Sequence, residues 1–121
     1  MFLSRIALAV TLFGVLASAG SAAEHWVFLG TNTGGKDGSK GIYRSKFDDE
    51  TGKLSEAELV AEMGSPSFLT IHPNKKFLYA VGEGQGKDGG AVVAFSIDAK
   101  TGALTKLNED KSGGPGPCHI V

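Results

Sequence analysis

Cysteine is nearly missing from this chain. Cys118 is the only one in 121 residues, so no internal disulfide can form and a stapled secreted scaffold is excluded. Clustered positive charge is missing too. The Lys and Arg residues are scattered, and Lys75-Lys76 is their only adjacent pair, which leaves no basic patch for nucleic acid. No His, Cys and Asp residues fall at metal-ligand spacing, so neither a metal nor another cofactor is expected. The longest apolar run, Ile6–Ala17 (IALAVTLFGVLA), is short of the roughly 20 residues that cross a bilayer. Arg5 precedes this run, and the small residues Ser18 to Ala23 follow it. That order is a secretory signal peptide over 1–23, cleaved after Ala22 or Ala23. The expected protein is therefore residues 24–121, exported to the periplasm or the extracellular space, with no membrane contact after cleavage. This part carries 11 Lys+Arg against 13 Asp+Glu.

What is present is a repeat. Residues 27–54 read VFLGTNTGGKDGSKGIYRSKFDDETGKL, and residues 78–104 read LYAVGEGQGKDGGAVVAFSIDAKTGAL. Phe28-Leu29-Gly30 aligns with Tyr79-Ala80-Val81 at an offset of 51. After a one-residue slip, Asp48, Thr51, Gly52 and Leu54 align with Asp98, Thr101, Gly102 and Leu104 at an offset of 50. Residues 64–70 (GSPSFLT) match residues 115–121 (PGPCHIV). A period near 50, rich in strands and turns, belongs to β-propellers and not to helical solenoids.

Short apolar blocks punctuated by Gly and Pro predict strands over 26–31, 41–47, 54–62, 67–72, 76–82, 91–97, 104–108 and 118–121. The Glu, Ala and Leu of 54–63 also suit a short helix, but the repeat favours a strand. A propeller blade has four antiparallel strands, the innermost lining the channel. Residues 67–108 then make one complete blade. Residues 26–62 supply three strands of a preceding blade, and 118–121 begin the inner strand of a third. The fold class is all-β, a β-propeller fragment of about one and three-quarter blades. The apolar run at 118–121 stops abruptly, which suggests missing C-terminal blades of the same propeller. By itself such a piece is expected to be marginally stable, with long open edges.

Two apparent motifs lack their context. Gly84 to Gly89 (GQGKDG) satisfies G-x-G-x-x-G, but a dinucleotide site needs a helix next, and Ala91 to Phe95 is strand-like. The same loop falls short of a phosphate-binding P-loop: Asp88 stands where Ser or Thr is required, and Val81 where the first Gly should be.

The strands Phe28-Leu29-Gly30-Thr31 and Phe77-Leu78-Tyr79-Ala80-Val81-Gly82-Glu83, with the Pro117-Cys118-His119 strand start, resemble the seven-bladed β-propeller lactonase family. That family holds bacterial 6-phosphogluconolactonases and fungal carboxymuconate cyclases. The resemblance covers 26–121. There are departures: Asn32 replaces the aromatic of the family's opening GTYT, and Gly82 stands where Asn often precedes the glutamate. The resemblance implies a seven-bladed ring and hydrolysis of a sugar lactone, a small-molecule substrate. The chain alone, without a closed channel, is expected to have little activity. An exported relative stands apart from cytosolic sugar phosphates, so it acts on a different lactone or has lost activity. Two other readings are a non-catalytic propeller that binds ligands or partners, and an enzyme of the cyclase branch.

Strand order places Glu83, His119, Thr31-Asn32 and Ser65–Phe68 at one face around the channel mouth. Lactone hydrolysis needs a water aimed at the carbonyl carbon, a base for its proton, and donors for the oxyanion. Glu83 as base and His119 as base or oxyanion donor are the catalytic candidates, with Thr31, Asn32 and Ser67 as substrate-binding candidates. Against these stand plainer roles: a solvated loop carboxylate for Glu83 and an imidazole bonded to a neighbouring strand for His119. His72 belongs to the His72–Lys76 turn, and His25 to a solvated terminus. Cys118 and His119 are adjacent on an expected strand and point to opposite faces, so they do not pair. A buried free thiol is expected for Cys118.

Overall fold

The computed structural model describes residues 23–36, 38–83 and 89–121, and among them there is no helix. The expected signal peptide lies outside these residues apart from Ala23, and so do residues 84–88 of the glycine-rich loop. Eight strands form two antiparallel sheets. The first holds β1 (Glu24–Leu29), β2 (Gly41–Asp48), β3 (Lys53–Leu54) and β4 (Glu58–Glu62). In it β2 is central, with β1 on one side and β3 and β4 on the other. The second runs in the order β5 (Pro66–Ile71), β6 (Phe77–Glu83), β7 (Gly90–Ile97), β8 (Leu104–Lys111). This is the blade order expected from the repeat, with β1 at the place of β6. Among the described residues the first sheet has no strand at the place of β5.

Residues such as those of β7, GAVVAFSI, favour strands because β-branched and aromatic side chains pack well on a pleated surface. Alternation then decides the faces. Leu78 pairs with Phe95, Ala80 with Val93 and Gly82 with Ala91, so these side chains share one face of the second sheet. Ile42 of the first sheet is fully buried in the cluster formed by Leu78, Ala80, Val93 and Phe95. Phe28, Val60, Met63 and Leu104 close round it. The core therefore lies between the blades. Burying Ile42 alone contributes roughly 1.5–3 kcal/mol.

Each blade turns on the same device. Asp98 Oδ1 accepts the N–H groups of Lys100 and Thr101, each at 2.9 Å. Asp48 Oδ1 accepts those of Glu50 and Thr51 at 2.9 and 3.0 Å. The turns close on Gly102 (φ +67) and Gly52 (φ +69), where an L side chain would be strained. These bonds hold the charged form: the Thr51 N–H foremost lowers the Asp48 pKa, and the Thr101 N–H that of Asp98.

Three expectations are corrected. The strand expected over 54–62 is two strands, β3 and β4. Ser55 interrupts the ladder: its Oγ accepts the Lys46 N–H at 2.9 Å, and its carbonyl accepts the Ser45 hydroxyl at 2.7 Å. Residues 118–121 form no strand. Their counterpart β5 pairs with β6, and among the described residues no strand pairs with residues 118–121. Cys118 is exposed, not buried, because no sheet forms around it.

Candidate functional site

Glu83 closes β6. Its N–H donates to the Ser65 carbonyl at 3.1 Å, which fixes it against the start of β5, and its side chain is exposed. Ser65 adopts φ +39, a left-handed backbone rare for a residue with a Cβ. From there it reaches the loop after β1. The Ser65 N–H donates to Thr33 Oγ1 at 2.9 Å, and the Thr33 N–H donates to Ser65 Oγ at 3.3 Å. The Ser65 hydroxyl also lies 3.4 Å from Asn32 Oδ1, which accepts the Gly34 N–H at 3.1 Å. Asn32, Thr33, Ser65 and Glu83 thus form one connected set across the two blades.

Thr31 is half-buried and turns away from this set: its hydroxyl donates to the Gly41 carbonyl at 2.6 Å, tying the two ends of the loop. Its polar group is spent on backbone. Ser67 is exposed, and its hydroxyl donates to the Pro117 carbonyl at 3.4 Å. The exposed His119 ring meets Phe68 edge-on, centroids 4.6 Å apart. Pro66 pairs with Gly82 and Phe68 with Val81, with a register shift at the residue between. Glu83 and His119 therefore both hang from one short stretch of β5 and β6.

Sequence reasoning singled out Glu83, His119, Asn32 and Ser67 at this end of the sheets, and missed the part played by Ser65 and Thr33. A signal for Ser65 exists in the repeat. Its counterpart is Gly116, which has φ +66; a Ser at the place of a left-handed Gly marks a backbone held by its surroundings.

The other histidines lie elsewhere. His72 Nδ1 accepts the Asn74 N–H at 3.2 Å within the β5–β6 turn. His25 is on β1, with Nε2 3.3 Å from Asp49 Oδ2.

An exposed carboxylate and imidazole beside hydroxyl and amide groups suit acid–base work on a small polar substrate. Known proteins bear on which one. The family model "Lactonase, 7-bladed beta-propeller" matches residues 26–121. The chain is 40% identical over 93 residues to a 6-phosphogluconolactonase of Bacillus subtilis, covering 77% of this chain and 26% of that protein. The crystal structure of a putative 6-phosphogluconolactonase of Bacteroides uniformis superimposes with a TM-score of 0.72 at 34% identity, over 81% of this chain and 27% of that one. The periplasmic gluconolactonase of Pseudomonas aeruginosa gives 0.67 at 26% identity, over 74% and 25%. The chain thus spans about a quarter of the length of these relatives. With two propeller blades in the expected order and a family match over essentially all described residues, the chain belongs to the seven-bladed β-propeller lactonases.

Proposed function

We propose that the ring to which these blades belong hydrolyses a sugar lactone at the channel mouth. Further blades of the same propeller complete the channel. Glu83 takes a proton from water as the water attacks the lactone carbonyl carbon. His119 donates to the oxyanion or shares the base role. Asn32 and Ser67 contact the sugar hydroxyls, with Thr31 shaping the loop behind them. Collapse of the tetrahedral intermediate breaks the ring C–O bond, and the leaving oxygen takes a proton to give the open hydroxy acid.

The observation that supports this reading best is the shared anchorage of Glu83 and His119 on β5 and β6, in a chain whose relatives are lactonases. Export is proposed from the pattern of residues 1–23, and a relative bearing the name periplasmic gluconolactonase is in keeping with it. Export separates the protein from cytosolic sugar phosphates, so an unphosphorylated aldonolactone is the first substrate to try.

The test uses a polypeptide carrying the complete ring. Glu83→Gln and His119→Ala should each lower lactone hydrolysis by roughly 10²-fold. Unchanged rates with intact folding remove both from the mechanism, and no hydrolysis by the unmodified ring leaves a binding propeller as the better reading.

A further inference from the structure

Ser65 breaks two backbone rules at once. Its φ of +39 lies in the left-handed region that L residues rarely adopt. The next residue is Pro66, which pushes the residue before it towards extended backbone. Such a conformation persists only where its surroundings hold it. On one side Pro66 is fully buried. On the other, the Ser65 N–H donates to Thr33 Oγ1 at 2.9 Å, and the Thr33 N–H donates back to Ser65 Oγ at 3.3 Å. Gly30 permits this reach, since a Cβ there would clash with the Pro66 carbonyl oxygen. The repeat supplies a comparison within the chain. At the offset of 51 Ser65 becomes Gly116, with φ +66 and again before a proline, and Thr33 becomes Gly84. Glycine takes this backbone without steric cost. The threonine hydroxyl is thus present where the left-handed residue has a side chain, and missing where glycine stands.

The conformation of Ser65 decides where its carbonyl points, and that carbonyl accepts the Glu83 N–H at 3.1 Å. Beside it Pro66 pairs with the buried Gly82. The last residue of β6 is therefore placed by Ser65, and Ser65 by Thr33. Asn32 is held separately. Its Oδ1 accepts the Gly34 N–H at 3.1 Å, and the Thr31 hydroxyl ties the loop to the Gly41 carbonyl at 2.6 Å. Loss of the Thr33 hydroxyl releases Ser65 towards the extended backbone preferred before proline. Its carbonyl then turns away and the end of β6 comes free, while the ties of Asn32 and Thr31 stay in place.

We propose that Thr33 is a positioning residue for Glu83, acting through the left-handed backbone of Ser65 on the carbonyl that fixes the end of β6. Thr33 need not touch the substrate. The proposal rests on the reading of Glu83 as the base of lactone hydrolysis, and adds what aims its carboxylate. A plain tie between blades would affect stability alone. A positioning role affects proton transfer, where a shift of about 1 Å costs up to roughly 100-fold in rate.

The polypeptide carrying the complete ring tests this. Thr33→Val removes the acceptor and keeps the shape. It should lower kcat by roughly tenfold or more, with KM within about twofold of the parent and an unchanged β-sheet spectrum. Thr33→Ala carries the same expectation if the valine variant does not fold. Thr33→Ser keeps the hydroxyl, and its kcat should stay within about threefold of the parent. In a Glu83→Gln background Thr33→Val should change kcat by less than about twofold, because residues that act as a unit are not additive. An unaltered kcat in Thr33→Val overturns the proposal. So does an equal loss in Thr33→Ser, or a full loss where the Glu83 carboxylate is already gone. Hydrogen exchange of the Glu83 amide, followed by NMR, gives a readout besides activity. It should quicken roughly tenfold in Thr33→Val, and an unchanged rate overturns the anchorage whether or not any lactone is hydrolysed. Quickened exchange in a ring that hydrolyses no lactone upholds the anchorage and overturns only the assignment of Glu83 as base.

Discussion

Trp26 and Gly102 meet across the two blades so closely that a Cβ on Gly102 would stand 2.6 Å from the indole. The indole N–H donates to the Ala99 carbonyl at 3.2 Å. Arg44 and Lys46 lie 5.2 and 5.3 Å from the ring centroid, within cation–π range. The one tryptophan of the chain is therefore a latch between sheets, at the end opposite Glu83.

The latch predicts a difference between two equivalent glycines. Gly102→Ala meets both the left-handed backbone, about 1–2 kcal/mol, and a clash with the indole, about 1–3 kcal/mol. Gly52→Ala meets the backbone cost alone, since its Cβ has open space. Urea unfolding in dilute solution should show the larger loss for Gly102→Ala. Equal losses would mean that the indole yields without cost.

Ile42 couples the blades through the core. Ile42→Ala should cost about 2–5 kcal/mol, although the residue belongs to the first sheet and its partners to the second. Trp26 fluorescence and the β-sheet circular dichroism should move to a lower denaturant midpoint together. A shift confined to one signal would show that the sheets unfold separately.

The turn aspartates give a pH dependence. Asp48 and Asp98 have lowered pKa values because backbone N–H groups, those of Thr51 and Thr101 first, bond the carboxylate. A depressed folded-state pKa means that the stabilisation is fully present above the unfolded value of about 3.9. It is lost as pH falls through the lower folded value. The pair Asp48→Asn and Asp98→Asn should flatten the stability profile below about pH 4 and leave its neutral region unaltered in slope. An unchanged acid limb would count against this account.

Ser65 joins the candidate site to both blades. Ser65→Ala keeps the strained backbone and strips the Thr33 N–H of its hydroxyl acceptor, an expected loss of about 1–3 kcal/mol. Ser65→Gly removes the same hydroxyl but relieves the left-handed strain, so its loss should be smaller. Thermal unfolding of the two variants decides, and the reverse order would show that φ at this position carries no strain.

Much of the fold was legible because its signals are local. The offset of 51 needs only strings such as Phe28-Leu29-Gly30 and Tyr79-Ala80-Val81. The turns need only Asp, Thr and Gly at fixed spacing, because an aspartate caps the N–H groups two and three residues on. The site was partly legible for the same reason: strand order alone brings Glu83 and His119 to one end. The break at Ser55 was not, because it depends on a hydroxyl competing for the N–H of Lys46 on another strand. The exposure of Cys118 was not, because burial needs a neighbouring sheet.

By itself the sequence determined a strand period, a blade unit and a family, since alternation and turn chemistry act between residues close along the chain. Which sheet faces which was decided only in three dimensions. Trp26 lies over Gly102, 76 positions away, and Ser65 bonds Thr33 across the blades, because packing and hydrogen bonding depend on distance in space and not on separation along the chain.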